Sequence, residues 1–248
     1  MKTKVFEHLM HKRPGFLPVL DPDRWDDFSK LDYLIKEFNE GASGILIGTS
    51  LFSRGDYFRF VKYVKERAKI PVIIFPNGPE SISEDGDALL FLVLLSGRNP
   101  EYLISQQVKA AFSIKKSLIE VIPVGYLLVD GGKITSVQFM SNTLPIPRDK
   151  IDILLAHAFV AEFMGMKTIF LEAGSGAEYP VPIEMIKVVK KETNLLTIVG
   201  GGLKKLADIE KRIESGADFV VIGNILESDS EKIKYITKIF KNNFFNTT

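Results

Sequence analysis

Short apolar segments alternate with helical patterns along this chain, and this alternation constrains the fold more than any other feature. Most of the intervening stretches carry apolar residues three and four positions apart, which is the period of an α-helix. Strands that alternate with helices pair in parallel, so the sequence predicts an α/β fold with a parallel sheet. The eight strand candidates are residues 16–20, 44–48, 71–75, 88–95, 119–129, 168–173, 196–201 and 219–224.

Eight strand–helix units in 248 residues fit a closed (β/α)₈ barrel of the TIM type. An open, doubly wound sheet is the alternative that the same alternation allows. No Pro/Gly-rich linker and no low-complexity tract divides the chain. We therefore expect residues 1–248 to form a single domain.

Two connections depart from the regular pattern. Between the third and fourth strand candidates lies NGPESISEDGD, which is rich in turn-forming residues and too short for a helix with two loops. After the fifth strand candidate, the sequence DGG at 130–132 separates two apolar segments, which indicates a tight hairpin. The sequence thus predicts a modified barrel in which the helix after the third strand is missing and a β-arm follows the fifth strand.

Charge and composition exclude several classes of function. Lys plus Arg number 32 and Asp plus Glu number 31, so no charge excess favours nucleic acid or an anionic membrane. The absence of cysteine excludes disulfides, thiolate metal sites and thiol nucleophiles. The first residues lack an apolar core of signal-peptide length. We expect a cytoplasmic protein with at most peripheral membrane contact, for which VFEHLM at 5–10 is the candidate if it does not cover the core.

Glycine-rich residues follow the last two strands, where barrel enzymes carry their active sites. The sequence has GGG at 200–202 and GN at 223–224, each before a helical pattern. Glycine lets backbone N–H groups approach an anion closely, and a helix N-terminus carries partial positive charge. Together they predict a cradle for a phosphate group. Glycines that only permit tight turns are the alternative.

Carboxylates at two strand ends are the candidate chemical groups. Asp21 ends the first strand, and the hydroxyl of Ser50 follows the second. A single carboxylate there can hold Mg²⁺ together with substrate phosphates, or it can cap the following helix, and the sequence leaves both roles open. For Asp23 the capping role is favoured. Glu172 ends the sixth strand and is followed by the small residues AGSGA.

Several longer motifs resemble the geranylgeranylglyceryl phosphate synthases. The matching segments are NPEYLISQQVKAA, EVIPVGYLLVDGGKITSV, SNTLPIPRDK, EAGSGA and the pair GGGL and GN, while VLDPD and GTS agree with them. The resemblance runs from residue 14 to about residue 226 and is strongest to the group II branch. It extends more distantly to the bacterial heptaprenylglyceryl phosphate synthases. It implies the same modified TIM barrel, without a helix after the third strand.

The resemblance implies a Mg²⁺-dependent prenyltransferase that forms dimers or hexamers. Members of this family transfer a prenyl group from a polyprenyl diphosphate to the 3-hydroxyl of sn-glycerol 1-phosphate, which gives an ether-lipid precursor. By this resemblance Asp21 and Ser50 hold Mg²⁺, and Glu172 faces the glycerol hydroxyl as the catalytic residue. The glycerol phosphate would be bound by Phe170, Leu171, Glu172, Ala173, Gly174, Ser175, Gly176, Gly201, Gly202, Gly223 and Asn224.

Two positions depart from the family pattern, and two other functions stay open. Phe170 stands where the family usually has Tyr, and Val19 stands where bacterial relatives have Lys. Each change removes one polar contact to the substrate phosphates. A different phosphate-binding barrel enzyme, such as an isomerase or a flavin-dependent enzyme, is the first alternative. A catalytically weak relative is the second.

A prenyl tail needs an apolar groove, and a diphosphate needs cations. For both sets of candidates, core packing or surface charge is the competing interpretation. The groove candidates are the run at 88–95, Tyr102, Ile104 and Tyr126, and the candidate cations are Arg98, Arg148 and Lys150.

Overall fold

Eight parallel strands close into a barrel in which β1 pairs with both β2 and β8. The computed structural model describes residues 4–25, 28–223 and 232–244. The barrel confirms the predicted fold class and excludes the open sheet. The strands are β1 (Gly15–Leu20), β2 (Ile45–Ile47), β3 (Val72–Ile74), β4 (Ala88–Leu94), β5 (Glu120–Leu128), β6 (Thr168–Glu172), β7 (Leu196–Gly200) and β8 (Phe219–Ile222).

Helices surround the barrel, and their apolar residues face the strands. In the third of them, for example, Phe60, Val61 and Val64 are buried and lie on one side. No helix within the described residues has the length and apolar character needed to cross a bilayer. The helices of this part of the chain are α1 (Val5–His11), α2 (Ser29–Gly41), α3 (Tyr57–Arg67), α4 (Gln106–Ser117), α5 (Ser136–Ser141), α6 (Ile151–Phe163), α7 (Ile183–Glu192), α8 (Leu206–Glu214) and α9 (Lys232–Phe244).

Helix α1 covers the amino-terminal end of the barrel. Val5 and Leu9 are buried in the same apolar cluster as Phe219, the first residue of β8. Glu120, at the start of β5, accepts hydrogen bonds from the backbone N–H groups of Val5 at 2.5 Å and Phe6 at 3.0 Å. These donors belong to the first turn of a helix, which has no partners for them within the helix. The apolar side of this segment therefore covers the core, which was one of the two roles that its pattern allowed.

The connection between β3 and β4 contains no α-helix, as predicted. Its regular structure is a single 3₁₀ turn at Pro79–Ser81. The middle residues of β4, Phe91 to Val93, are only half-buried. The missing helix thus leaves part of β4 uncovered.

The segment after β5 shows that the predicted β-arm was wrong. Asp130 Oδ1 accepts a hydrogen bond from the N–H of Gly132 at 2.9 Å, so DGG does form a turn. The chain then forms the short helix α5 and returns through one parallel bridge between Val129 and Ile146. The edge that the end of β5 leaves beyond β4 is taken by Ile146, whose N–H donates to the carbonyl of Leu128 and whose carbonyl accepts from the N–H of Asp130.

A carboxylate joins each half of the barrel to a helix. Asp218 precedes β8 and accepts hydrogen bonds from the N–H of Thr197 at 2.8 Å and from Lys190 Nζ at 2.8 Å. Arg13 lies 3.4 Å from the same carboxylate. Asp87 makes the corresponding contacts before β4, with the first residue of β3 and with a lysine of α3. Asp218 thus joins β8 to β7 and α7, and Asp87 joins β4 to β3 and α3.

We expect Asp218→Ala to lower the free energy of unfolding by about 2–4 kcal/mol, because it leaves the N–H of Thr197 and the cation of Lys190 without their partner. Urea denaturation followed by circular dichroism measures this change. Asp149→Ala is the control, since the carboxylate of Asp149 is 75% exposed and lies 3.5 Å from the exposed Lys150. The control should lose less than about 0.5 kcal/mol. Equal losses in the two variants would contradict the role given to Asp218.

Candidate active site

A cavity of about 450 Å³ opens at the carboxyl ends of the strands. The carboxyl ends of parallel strands meet at one end of a barrel, so residues far apart in the sequence converge there. Segments after every strand contribute to its lining, among them Asp21 after β1, Gly48 to Ser50 after β2, Ser175 to Ala177 after β6, Gly201 to Leu203 after β7, and Gly223 after β8.

Most of the residues predicted to bind glycerol phosphate lie at this cavity. Six of them line it, namely Glu172, Ser175, Gly176, Gly201, Gly202 and Gly223. Four others belong to β6 or to the turn after it without lining the cavity, namely Phe170, Leu171, Ala173 and Gly174. Asn224 lies outside the described residues.

Glu172 is a buried carboxylate at the end of β6, with 6% of its surface exposed. The backbone N–H of Gly174 donates a hydrogen bond to its Oε1 at 2.6 Å. Burial raises the pKa of Glu172 from 4.5 to about 7, against the opposing effect of this hydrogen bond. Near neutral pH the carboxyl group is therefore present in both the acid and the base form, which suits a group that transfers protons.

Two glycines after β7 make room for this carboxylate. A Cβ atom on Gly200 would lie 2.6 Å from Oε2 of Glu172. On Gly201 it would overlap Oε1 of Glu172 and lie 2.5 Å from the backbone nitrogen of Gly174. Gly201 also has φ +79°, which favours glycine. A tight turn accounts for this φ value, but it does not account for the close approach to Glu172.

An aromatic cluster lies beside Glu172. The ring of Phe170 stacks on Phe75 with centroids 5.5 Å apart and meets Tyr126 edge-on at 5.2 Å. Burial and, to a smaller degree, the charge of Glu172 raise the pKa of Tyr126 well above its usual value. Tyr126 lines the cavity, as predicted for the groove, and it also adjoins the carboxylate. Phe170 therefore contributes to the site through ring packing behind the cavity wall.

Asp21 lies at the opposite side of the barrel mouth and has two structural contacts. Its Oδ1 accepts a hydrogen bond from the N–H of Asp23 at 3.0 Å, which caps the 3₁₀ turn Pro22–Arg24. Its Oδ2 lies 3.7 Å from Nε of Arg24. The carboxylate also lines the cavity together with Ser50. The capping role that the sequence allowed is thus present, and the side chain remains available to the cavity.

The capping role favoured for Asp23 was wrong. The carboxylate of Asp23 accepts hydrogen bonds from the backbone N–H of Ser53 at 2.9 Å and from its hydroxyl at 2.7 Å. Asp23 therefore joins the loop after β1 to the loop after β2. The local pattern DPD could not distinguish the two aspartates, because the partner of Asp23 comes from a different strand–helix unit.

The donor set around Asp21 fits Mg²⁺ only together with a phosphate ligand. The described residues contain no group of three or more His, Cys, Asp or Glu side chains that could hold a metal ion. Asp21 and Ser50 offer one carboxylate and one hydroxyl at the cavity. Mg²⁺ in enzymes is commonly bound by one or two carboxylates, several waters and substrate phosphates. This pair therefore suits a Mg²⁺ ion that binds with a diphosphate.

The cavity continues as an apolar groove between β4 and α4, beside the connection that lacks a helix. Tyr102 and residues 89–92 of β4 line it, as predicted for the groove. Ala110 and Ile114 of α4 complete this wall. Ile104, also predicted there, is 57% exposed and does not line the groove. A π-helical turn at Glu101–Ser105 precedes α4, so the positions of these side chains could not be deduced from a regular helical period.

The three cations predicted for the diphosphate do not line the cavity. Arg98 and Arg148 donate hydrogen bonds to backbone carbonyl groups of loops, and Lys150 lies 3.5 Å from Asp149. Among the described residues the cavity is lined instead by the cations Arg24 and Lys204. Neither was predicted from the sequence. Their signal was position, since Arg24 lies three residues after the strand-end Asp21 and Lys204 follows GGGL directly.

Known proteins resemble this chain over nearly its whole length. The sequence matches the PcrB family over residues 7–240. The geranylgeranylglyceryl phosphate synthase of Flavobacterium johnsoniae is 45% identical over 215 residues, which are 86% of this chain and 87% of that protein. The protein of the same name from Methanosphaera stadtmanae is 38% identical over 233 residues, covering 94% of this chain and 93% of its own.

Solved structures agree with these sequence matches. The (S)-3-O-geranylgeranylglyceryl phosphate synthase of Thermoplasma acidophilum, solved in complex with sn-glycerol-1-phosphate, has a TM-score of 0.85 and 30% identity. The match covers 96% of this chain and 98% of that one. Thiamine phosphate pyrophosphorylase from Pyrococcus furiosus, at 12% identity and a TM-score of 0.56, shares the fold alone. From the extent of the family match and the identity of the relatives, this chain belongs to the PcrB family.

Proposed function

We propose that this protein is a prenyltransferase that transfers a polyprenyl group from its diphosphate to the 3-hydroxyl of sn-glycerol 1-phosphate. Geranylgeranyl is the first polyprenyl group to test. The observation that carries the proposal is the buried Glu172 beside a glycine-lined cradle at the barrel mouth. The names of the relatives and the glycerol phosphate bound by the Thermoplasma protein support this choice of substrates. The product is an ether-linked lipid precursor.

The glycerol phosphate is assigned to the cradle after β7 and β8. Gly201 and Gly202 line the cavity with φ angles of +79° and +70°, which favour glycine, and Gly223 lies at the same cavity. Lys204 lines the cavity next to them and supplies a positive charge. Ser175 offers a hydroxyl from the loop after β6. A phosphate in this cradle places the attached three-carbon chain beside Glu172.

The reaction forms a bond from the glycerol oxygen O3 to C1 of the prenyl chain and breaks the bond from C1 to the diphosphate. In this proposal Glu172 accepts the hydroxyl proton, and its negative charge favours the positive charge that develops on C1. Asp21 and Ser50 would hold Mg²⁺, which would neutralise charge on the leaving diphosphate. Proton and leaving group thus go to opposite sides of the barrel mouth.

The apolar groove favours a substrate with a long hydrocarbon tail. Burial stabilises such a tail by about 0.8 kcal/mol per CH₂ group, so a tail of this kind supplies much of the binding free energy. Phe91, Tyr102, Ala110 and Ile114 present carbon to the groove. The isomerase and flavin-dependent alternatives act on substrates that do not require such a groove.

We expect Glu172→Gln to lower kcat by about 10²–10⁴-fold, the usual contribution of a positioned base. The amide keeps the shape of the side chain and an oxygen that can accept the hydrogen bond from Gly174. In the wild type, kcat/KM should fall below pH 7, because protonation of a carboxyl group with a pKa of about 7 removes the base. Assays with labelled sn-glycerol 1-phosphate and geranylgeranyl diphosphate measure both effects. Near-normal turnover in the variant would remove Glu172 from the mechanism.

The pH dependence of stability provides a control for that variant. Because folding raises the pKa of Glu172 from 4.5 to about 7, the native state holds this proton more tightly than the unfolded state does. This contribution to stability is complete below pH 4.5 and is lost as the pH rises through 7. Glutamine does not titrate, so the stability of Glu172→Gln does not fall in this way. As the pH rises between these values, the variant should gain up to about 3 kcal/mol of stability relative to the wild type. A folded, more stable and inactive variant separates catalysis from folding.

We expect Asp21→Asn to raise the Mg²⁺ concentration needed for half-maximal rate by about tenfold or more. Metal affinity typically falls at least this much even when the mutated residue only orients a metal ligand. The amide oxygen can still accept the hydrogen bond from Asp23, so the 3₁₀ turn should persist. Calorimetric titration with pyrophosphate and Mg²⁺ measures binding without turnover. Asp149→Asn, an exposed change outside the cavity, is the control. An unchanged Mg²⁺ requirement would limit Asp21 to its capping role.

We also propose that the protein assembles as a homo-oligomer, a dimer or hexamer, through α4 and α6. Both helices flank β5, so their outer surfaces are neighbours. Phe112 on α4 is 90% exposed and Phe163 on α6 is 82% exposed, with Val108 and Val160 exposed beside them. Apolar surface of this kind on adjacent helices is typical of protein–protein contacts.

We expect the double change Phe112→Glu and Phe163→Glu to convert the assembly to a smaller species, because carboxylates in an apolar contact cost desolvation free energy. Light scattering coupled to gel filtration measures the mass. Tyr235→Glu is the matched control, since Tyr235 is also exposed but lies on α9. An unchanged mass in the double variant would place the contact elsewhere.

A further inference from the structure

Arg148, shortly before α6, joins two loops of the barrel mouth. Its Nη1 donates a hydrogen bond to the carbonyl of Asp130 at 2.9 Å, and its Nη2 donates one to the carbonyl of Pro180 at 2.9 Å. Asp130 follows β5, and Pro180 belongs to the loop after β6, residues 173–182. A guanidinium group carries its N–H donors in a planar fork, so it can hold two carbonyl groups at once. Arg148 does not line the cavity, so it acts there through the loops that it holds.

The turn after β5 makes further contacts with the loop after β6. The carbonyl of Gly131 accepts hydrogen bonds from the backbone N–H groups of Glu178 at 2.8 Å and Tyr179 at 3.0 Å. The guanidinium carbon of Arg148 lies 5.5 Å from the centre of the Tyr179 ring, within the range of a cation–π interaction. Residues 178–180 are therefore held by both ends of the connection between β5 and α6.

Residues 178–180 also contact the cradle assigned to glycerol phosphate. A Cβ atom on Gly202 would lie 2.7 Å from the backbone nitrogen of Pro180 and 2.8 Å from the carbonyl oxygen of Tyr179, so this glycine packs directly on the loop. Lys204 Nζ donates a hydrogen bond to the carbonyl of Glu178 at 3.3 Å. Gly202 and Lys204 both line the cavity. A shift of the loop would therefore displace both a backbone group and a positive charge of the cradle.

We propose that Arg148 is a positioning residue for sn-glycerol 1-phosphate, which holds the loop after β6 where Gly202 and Lys204 can bind the phosphate. This inference rests on the proposed function, which assigns the phosphate to this cradle. It replaces the role in diphosphate binding that the sequence suggested for Arg148. The effect is specific to one substrate, because the diphosphate is assigned to Asp21 and Ser50, after β1 and β2.

The test compares Arg148→Met, which removes both hydrogen bonds, with Arg148→Lys, which keeps the charge but not the fork. We expect Arg148→Met to raise the KM for sn-glycerol 1-phosphate by about ten- to hundredfold, since misplacing a binding group by about 1 Å can cost about a hundredfold. Arg148→Lys should show most of this rise, because one ammonium group does not replace a planar fork. The KM for geranylgeranyl diphosphate should stay within about twofold in both variants. Calorimetric titration with sn-glycerol 1-phosphate alone should show the same weakening without turnover.

Lys150→Met is the matched control, because it also removes a cation from the segment that leads into α6. The side chain of Lys150 is 52% exposed, lies 3.5 Å from Asp149 and does not line the cavity. Both KM values of this control should stay within about twofold of the wild type. If the control raised the KM for sn-glycerol 1-phosphate as much as Arg148→Met does, the lost charge would explain the effect and the proposal would fail.

A milder variant keeps the test independent of folding. The carbonyl of Val181 accepts a hydrogen bond from Arg212 of α8 at 3.1 Å, so the loop keeps one anchor when Arg148 is replaced. Tyr179→Leu removes only the ring beside the guanidinium group, and Tyr179 is 48% exposed, so the fold should persist. We expect this variant to raise the KM for sn-glycerol 1-phosphate by about two- to fivefold, the size of a cation–π interaction at an exposed site. Thermal unfolding checks that each variant is folded at the assay temperature.

Three outcomes overturn the proposal about Arg148. They are an unchanged KM for sn-glycerol 1-phosphate in Arg148→Met, an equal rise in the KM values of both substrates, and wild-type affinity in Arg148→Lys. If Arg148→Met does not fold, Arg148→Lys and Tyr179→Leu decide by the same measurements. A wild-type protein that transfers no prenyl group fails the proposed function instead. In that case the titration with sn-glycerol 1-phosphate still decides the role of Arg148, and a wild type that does not bind this compound overturns it.

Discussion

The pairing of β1 with β8 is the constraint on which the rest of this structure depends. Residues Gly15 to Pro18 align with Phe219 to Ile222 and close the sheet. Gly15 leaves room at this seam, where a Cβ atom would lie 3.0 Å from the ring of its partner Phe219 on β8. Closure gives every strand two neighbours and collects the strand ends in one ring. The segment after β5 also lies at the barrel mouth, where Val137, Met140 and Ser141 line the cavity.

The carboxylates at the two ends of the barrel have different surroundings. At the amino-terminal end, Asp218 and Asp87 each contact a lysine and a backbone N–H, and Glu120 accepts two backbone N–H groups of α1. These groups join strands to helices. At the carboxyl end, Glu172 is buried and accepts a hydrogen bond from the N–H of Gly174, and its pKa rises to about 7. A carboxyl group kept in this state is suited to proton transfer, while paired carboxylates contribute to stability.

Much of the fold and part of the candidate site could be predicted from the sequence, because both depend on local signals. Periodic apolar residues predicted the strands, and the short connection after β3 predicted the missing helix. Glu172 and Gly201 were found because they directly follow strands. The partners of Asp23 and the orientation of Arg98 could not be predicted in this way, since each depends on a loop from another unit. Arg24 was missed although it follows a strand end, because sequence position alone does not give the direction of a long side chain.

By itself the sequence determined the order and type of the elements and the residues at the strand ends, because apolar period and turn chemistry act over a few neighbouring positions. Only the tertiary structure decided two further properties. It gave the burial that raises the pKa of Glu172 and the return through Ile146 that goes with α5 in place of the predicted β-arm. Burial, edges and cavities are produced by contacts between distant segments, and no short stretch of sequence contains them.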